Sequence, residues 1–415
     1  MDAIILVDRL EVLNRRFFQV SVPARVANEL FLLGVKKTTL VVDAEPQSAR
    51  MIIEKELLAG VELAVERPPA GVSLAQHAVS LARPGVATAV FPPNCMFSKA
   101  FYKGLVSLGQ PESACEPAVR MVPENAPGSL PCSVLLLRPP GAGEPLQSLE
   151  AASLPARSLA GAWVSPEVHD EKTVQRFLID GLRKTVDSDG VVAFYLMRPI
   201  TLRLTRILAR TPILPNHVTI VSFLIGMAGV ALVAFGDRWL AALGGLLFFV
   251  ATTTDCIDGE IARLRYKMSY LGGWLDTFTD DIQTSSCILA CGIYASRHGM
   301  GEIWLGLGAA AAALFVLPQI YVYFDIHRRY HSSDTVDFKF AWEKPSVAPS
   351  TEAPSSPAGL LKYAFKRDFF TLLFALLIAL EAQIVLVSVN LAANLTRAVM
   401  VGISAVMVLG KRESA

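Results

Sequence analysis

Thr252–Asp281 reads TTTDCIDGEIARLRYKMSYLGGWLDTFTDD, follows directly on one long apolar run and leads directly into another. It holds five aspartates and a glutamate, although an aspartate at mid-membrane costs roughly 2.5–3.5 kcal/mol on insertion scales and clustered like charges add to that. Asp255 and Asp258 are three residues apart and share a face if the preceding apolar helix continues through them; Asp276 and Asp280 are four apart and share a face at the start of the next. Both pairs stand at the same end of neighbouring antiparallel segments, so four carboxylates can converge just inside the membrane boundary. Hard divalent cations, Mg²⁺ or Mn²⁺, would offset the cost through all-oxygen ligation. Two ions sharing four carboxylates would also suit phosphoryl chemistry, in which they neutralise a pyrophosphate and orient its attacking and leaving oxygens.

Outward from that stretch, the 415 residues change character. Residues 1–190 alternate short apolar runs with Pro, Gly, Ser and charged residues, whereas most of the chain beyond Val218 is apolar. Six candidate spans of about 20 residues fall near 218–236, 239–257, 273–295, 303–325, 368–388 and 391–409. Basic residues gather in alternate joints: Arg198, Arg203, Arg206 and Arg210; Arg263, Arg265 and Lys267; Arg328, Arg329, Lys362, Lys366 and Arg367; Lys411 and Arg412. The opposite joints carry only Arg238, Arg297 and Arg397. That bias puts both termini and the aspartates on the cytoplasmic side of the cell (inner) membrane, and the N-terminus lacks the pattern of a signal peptide. Phe194–Pro212 spaces its apolar residues at three and four with arginines between them, as an amphipathic helix on the membrane surface would; a surface helix of the soluble part is the alternative. The Pro- and Ser-rich stretch His331–Pro357 reads as a joint without chemistry. A formal net charge of +1 gives no argument for nucleic acid. The six cysteines, Cys95, Cys115, Cys132, Cys256, Cys287 and Cys291, show neither a CxxC pair nor zinc spacing.

Intramembrane aspartates can also pair with arginine or form a proton or cation relay in a transporter. Against a relay stands Gly259, where a missing side chain lets a ligand approach the backbone. Arg263 follows one turn later, placed to meet a phosphate bidentately. Together they describe a metal–pyrophosphate site better than a proton wire.

The spacing Asp255-x2-Asp258-Gly259-x2-Ala262-Arg263-x8-Gly272-x3-Asp276-x3-Asp280 resembles the signature of the CDP-alcohol phosphotransferase family, with every position filled. Leu214–Thr219, LPNHVT, resembles the opening of that family's first span. The resemblance covers about Gly190 to the C-terminus. It implies a six-helix, homodimeric membrane fold that displaces CMP from a CDP-linked alcohol as an acceptor hydroxyl attacks the β-phosphorus. It also implies that Asp255, Asp258, Asp276 and Asp280 hold two metal ions, with Asp280 as general base. Gly259, Ala262 and Arg263 would then contact the cytidine diphosphate, with Gly272, Asn216 and Thr219 near it. Asp281 lies outside the signature, with a role behind the ligands and plain solvation both open.

In the first half, strands are expected at 3–7, 38–42, 61–65, 87–91 and 133–138, with helices at 23–33, 46–58, 74–83 and 171–185. Such alternation predicts an α/β domain with a parallel sheet covered on both faces. The order resembles a sugar-phosphate nucleotidyltransferase, a domain that the inositol-phosphate-linked branch of the family carries as a cytidylyltransferase. The chain departs from that pattern where chemistry would occur. The Gly-rich turn expected after the first strand is replaced by DRLEVLNRRFFQ, and Asn94 stands about where a metal-binding aspartate is expected. The domain therefore reads as a degenerate, inactive relative, although Arg9, Arg15 and Arg16 could still meet an anion.

The expected organisation is a degenerate nucleotidyltransferase-like domain over 1–190, an amphipathic juxtamembrane helix over 191–212 and a phosphotransferase domain over 213–415. The donor would be of the CDP-diacylglycerol or CDP-inositol type, and the acceptor an inositol phosphate, a glycerol phosphate or a lipid alcohol, met by Lys267, Arg328 and Arg329. A bifunctional enzyme with an active cytidylyltransferase and a cation or proton transporter are the competing expectations.

Overall fold

The computed structural model describes residues 1–83, 86–110, 118–123, 133–137, 156–342 and 366–413. Cys115, Cys132, Lys362 and most of the Pro- and Ser-rich joint lie outside the described residues. The chain divides into two compact units, Met1–Leu182 with Leu264–Lys267, and Arg183–Arg263 with Met268–Ala415.

The first unit is built on a seven-stranded sheet of β1 (Asp2–Val7), β2 (Lys37–Val42), β3 (Glu62–Glu66), β4 (Thr88–Phe91), β5 (Ala118–Pro123), β6 (Val134–Leu137) and β7 (Ala156–Leu159), in the order β7-β5-β6-β4-β1-β2-β3. β1 pairs in parallel with β2 and β4, β2 with β3, and β5 with β7. The near-continuous apolar runs of β1, β2 and β4 fit strands covered on both faces. The expectation of a parallel sheet needs one correction: β6 runs antiparallel to both β4 and β5. Ile5, Leu40, Phe91, Val119 and Leu136 build the core with Phe101, Tyr102 and Leu105 of the helix Lys99–Leu108. Within the same unit, Arg25 Nη1 donates to the Leu264 carbonyl at 2.8 Å and the Tyr266 hydroxyl to Glu29 at 2.8 Å.

The second unit is helical: α1 (Arg198–Leu208), α2 (Pro215–Phe235), α3 (Arg238–Arg265), α4 (Tyr270–Arg297), α5 (Ile303–Tyr330), α6 (Arg367–Ala379) and α7 (Gln383–Glu413). Four of these, α2, α3, α5 and residues 383–408 of α7, are long and apolar enough to cross a membrane. The count of six spans is not reached by that measure. α4 carries Asp276, Asp280 and Asp281 in its first half, and α6 has 13 residues, about 20 Å of helix against a hydrocarbon core of about 30 Å. The expected fifth span breaks after Ala379, where Glu381 takes a left-handed φ of 57° and pairs with Arg238 at 2.6 Å. Arg397 is corrected too: it lies midway along α7 rather than in a joint.

Glycine lets the helices approach closely. A Cβ on Gly229 of α2 would lie 2.6 Å from the Gly244 carbonyl of α3, and one on Gly292 of α4 would lie 2.9 Å from the Gly308 Cα of α5. These contacts bring α3 and α4 against the helices that orient their carboxylates.

Candidate metal centre

α3 runs unbroken to Arg265, so Asp255, Asp258, Gly259, Ala262 and Arg263 all belong to one helix. Carboxylate oxygens of Asp255 and Asp258 and of Asp276 on α4 all lie within 4.8 Å of one another. Asp258 is buried at 8% exposure, and α2 supplies donors to this cluster. The Thr219 hydroxyl and the backbone N–H of Gly259 donate to Asp258, and Ser222 Oγ donates to Asp255 at 3.1 Å. These bonds fix two of the three carboxylates. Asp276 Oδ1 is buried with no hydrogen-bond partner. A buried orphan oxygen is costly unless a ligand completes it, and an all-oxygen donor set fits a hard divalent cation.

Asp280 does not join the three. One turn further along α4, both its oxygens accept from the two Nη groups of Arg367, the first residue of α6. The Arg263 guanidinium lies over Gly259, whose added Cβ would come 3.0 Å from Nη1, and its Nε is buried without a hydrogen-bond partner. Ala262 is half-buried beside it. Gly272, in the first turn of α4, donates its N–H to the capping Ser269 Oγ at 3.0 Å; a Cβ there would lie 3.1 Å from Asn216 Oδ1. Exposed Asn216 thus abuts the start of α4, whereas Thr219 is committed to Asp258.

Lys267 is exposed and belongs to the first unit. Arg328 lies over Phe324 at 6.0 Å, and Arg329 pairs with Asp325 at 2.7 Å. Asp281 turns to another network: Gln319 and Tyr323 of α5 donate to it, and Arg397 of α7 donates to Gln319.

Ser222, Arg367, Glu260 and Arg198 carry interactions that sequence reasoning passed over as site residues. Glu260 is fully buried and accepts from Arg198 Nη1 at 2.5 Å, Thr201 at 2.8 Å and Thr205 at 2.6 Å. Burial lowers the Arg198 pKa, but hydrogen bonds to Asp189 and Glu260 and the charge of Asp189 help to offset it and leave it raised. The spacing of Arg198, Thr201 and Thr205 at three and four was the available signal.

In the first unit, the segment after β1 forms the helix Leu10–Asn14 and then the tight hairpin Arg16–Ser21. Arg16 pairs with Glu56 at 2.5 Å, Arg9 with Asp8 at 3.9 Å, and Arg15 lies over Phe17 at 5.7 Å. Asn94 takes a left-handed φ of 60° and donates to Glu167 at 3.0 Å.

The second unit is thus a membrane-type helical domain whose acidic centre is built from two of its helices. Residues 212–340 match the CDP-alcohol phosphatidyltransferase family. The chain is 31% identical over 131 residues to the "Bifunctional IPC transferase and DIPP synthase" of Aquifex aeolicus, covering 31% of this chain and 29% of that protein. It is 32% identical over 162 residues to the protein of the same name from Rubrobacter xylanophilus, covering 39% and 36%. The "Archaetidylinositol phosphate synthase" of Pyrococcus horikoshii is 34% identical over 88 residues, covering 21% and 44%. The matched segment thus spans less than half of each of these relatives.

Proposed function

We propose that the second unit is a CDP-alcohol phosphotransferase, embedded in the cell membrane with its acidic centre on the cytoplasmic side. The observation that supports this most is the meeting of three aspartates from α3 and α4 within 4.8 Å, on the helix where Arg263 Nε is buried and partnerless. Asp255, Asp258 and Asp276 would hold divalent cations, Mg²⁺ or Mn²⁺. Bound cations neutralise the pyrophosphate of the CDP-alcohol and orient its oxygens. Arg263 would take an oxygen of the diphosphate, with Gly259 and Ala262 leaving room for the nucleotide and Asn216 and Gly272 bordering it.

Asp280 would act as general base. The acceptor hydroxyl exchanges with Arg367 at its carboxylate and gives up its proton there as the oxygen attacks the β-phosphorus. One P–O bond forms, the bond to CMP breaks, CMP leaves and a phosphodiester remains. The name "Archaetidylinositol phosphate synthase" favours an inositol-phosphate acceptor; the donor would be of the CDP-diacylglycerol or CDP-inositol type. In the first unit, a helix in place of the Gly-rich turn, Arg16 paired to Glu56 and Asn94 tied to Glu167 favour a domain without cytidylyltransferase chemistry.

The test is CMP release by the purified full-length protein, given CDP-inositol or CDP-diacylglycerol, inositol 1-phosphate and Mn²⁺. Release that stops in EDTA and in Asp280→Asn is expected. No release with any donor and acceptor, alongside cation flux into liposomes, would favour a transporter instead.

A further inference from the structure

Glu260 is a fully buried acid one residue after Gly259 and two after Asp258. Successive helical residues are about 100° apart, so Glu260 points about 200° away from Asp258. Asp258 meets Thr219 of α2, while Glu260 meets Arg198, Thr201 and Thr205 of α1. The same Arg198 grips Asp189 through Nε at 2.5 Å and Nη2 at 2.9 Å, and Lys184 stands 3.7 Å from Asp189. Three donors on one carboxylate leave Glu260 well satisfied.

α1 is arranged inside out. Thr201 and Thr205 are buried, whereas Ile200, Leu204 and Ile207 are exposed. A buried ionic group contributes little net stability compared with an apolar replacement of the same shape, so its role is sought in geometry. At the start of the same segment, Asp368 accepts the Ala193 N–H at 2.8 Å, next to the Arg367 that holds Asp280. The juxtamembrane segment is therefore fastened both to α3, two residues from Asp258, and to α6, beside Arg367.

We propose that Glu260 is a positioning residue, which docks α1 onto α3 and thereby holds Asp255 and Asp258 in the rotation that brings their oxygens to Asp276. The inference rests on the functional reading above and adds to it a group that touches neither cation nor nucleotide. Groups behind metal ligands typically change affinity or activity by about 10–100-fold when lost.

Mn²⁺ binding by electron paramagnetic resonance and CMP release are measured on the full-length protein in nanodiscs, for wild type, Glu260→Gln, Thr201→Val with Thr205→Val, and Asp258→Asn. Glu260→Gln is expected to weaken Mn²⁺ binding by about 10-fold or more. Its CMP release should return toward the wild-type rate at saturating Mn²⁺, a recovery that a merely unstable protein would not show. The double valine variant keeps the ion pair and should shift Mn²⁺ affinity in the same direction by about 3-fold or more; if Glu260→Gln fails to fold, it decides the matter. Wild-type Mn²⁺ affinity in both Glu260→Gln and the double valine variant overturns the positioning role. Wild-type protein with neither Mn²⁺ binding nor CMP release overturns the functional reading itself, and loss in Asp258→Asn alone leaves that reading standing without the role for Glu260.

Discussion

Replacing Asp258 with asparagine perturbs the acidic centre in two opposite directions. Oxygens of Asp255, Asp258 and Asp276 lie within 4.8 Å of one another. At an effective dielectric constant of about 20, two unit charges at that distance repel by about 3.5 kcal/mol. Asparagine removes two of the three repelling pairs, but Thr219 and the Gly259 N–H bond to different oxygens of Asp258, so its single carbonyl keeps only one of these two donors. Asp255 and Asp276 are only half-buried, and screening brings the relief down to roughly 1–3 kcal/mol. In EDTA the variant should therefore melt higher than wild type by several degrees, at about 2–4 °C per kcal/mol for a unit of this size. With Mn²⁺ the order reverses: wild type gains stability by mass action, while the variant gains little and its CMP release falls by about 100-fold or more. Intrinsic-fluorescence melting of the detergent-solubilised protein across a Mn²⁺ titration reads both halves. A variant that melts below wild type in EDTA, or gains as much from Mn²⁺, refutes the view that crowded charge awaits a cation here.

Arg263→Met should weaken CDP binding by about 10–100-fold, the value of a charge-assisted pair, and leave Mn²⁺ affinity near wild type, as isothermal titration calorimetry would show. Gly229→Leu forces apart a contact where even a Cβ would lie 2.6 Å from the Gly244 carbonyl; a loss of about 1–3 kcal/mol should appear as a lower melting midpoint, and an unchanged one would deny the close crossing of α2 and α3. The full-length protein given CTP and inositol 1-phosphate should release no pyrophosphate above background, and clear release would assign nucleotidyl transfer to the first unit.

Much of the centre was legible because its chemistry is local. Asp255 and Asp258 lie three apart, Asp276 and Asp280 four apart, and those intervals fix faces of two helices whatever packs around them. The strands β1 to β4 were visible for a similar reason, as short apolar runs between turn residues. What stayed hidden depends on distant partners. Glu260 reads as one more charge in a polar stretch until Arg198, 62 residues earlier, is seen to reach it. The spacing of Asp280 gives no sign of its pairing with Arg367, 87 residues later. Arg397 interrupts an apolar run and so resembles a joint, but α7 continues through it and its guanidinium donates to Gln319. The antiparallel course of β6 is set by its pairing with β4 and β5, which no feature of VLLL announces.

The most direct measurement of the central claim is an anomalous difference map from crystals of the full-length protein grown with Mn²⁺ and CDP. The account predicts manganese density bridged by Asp255, Asp258 and Asp276, with the diphosphate extending from it toward Arg263. Manganese bound elsewhere, or those three side chains turned apart with CDP bound, would contradict it.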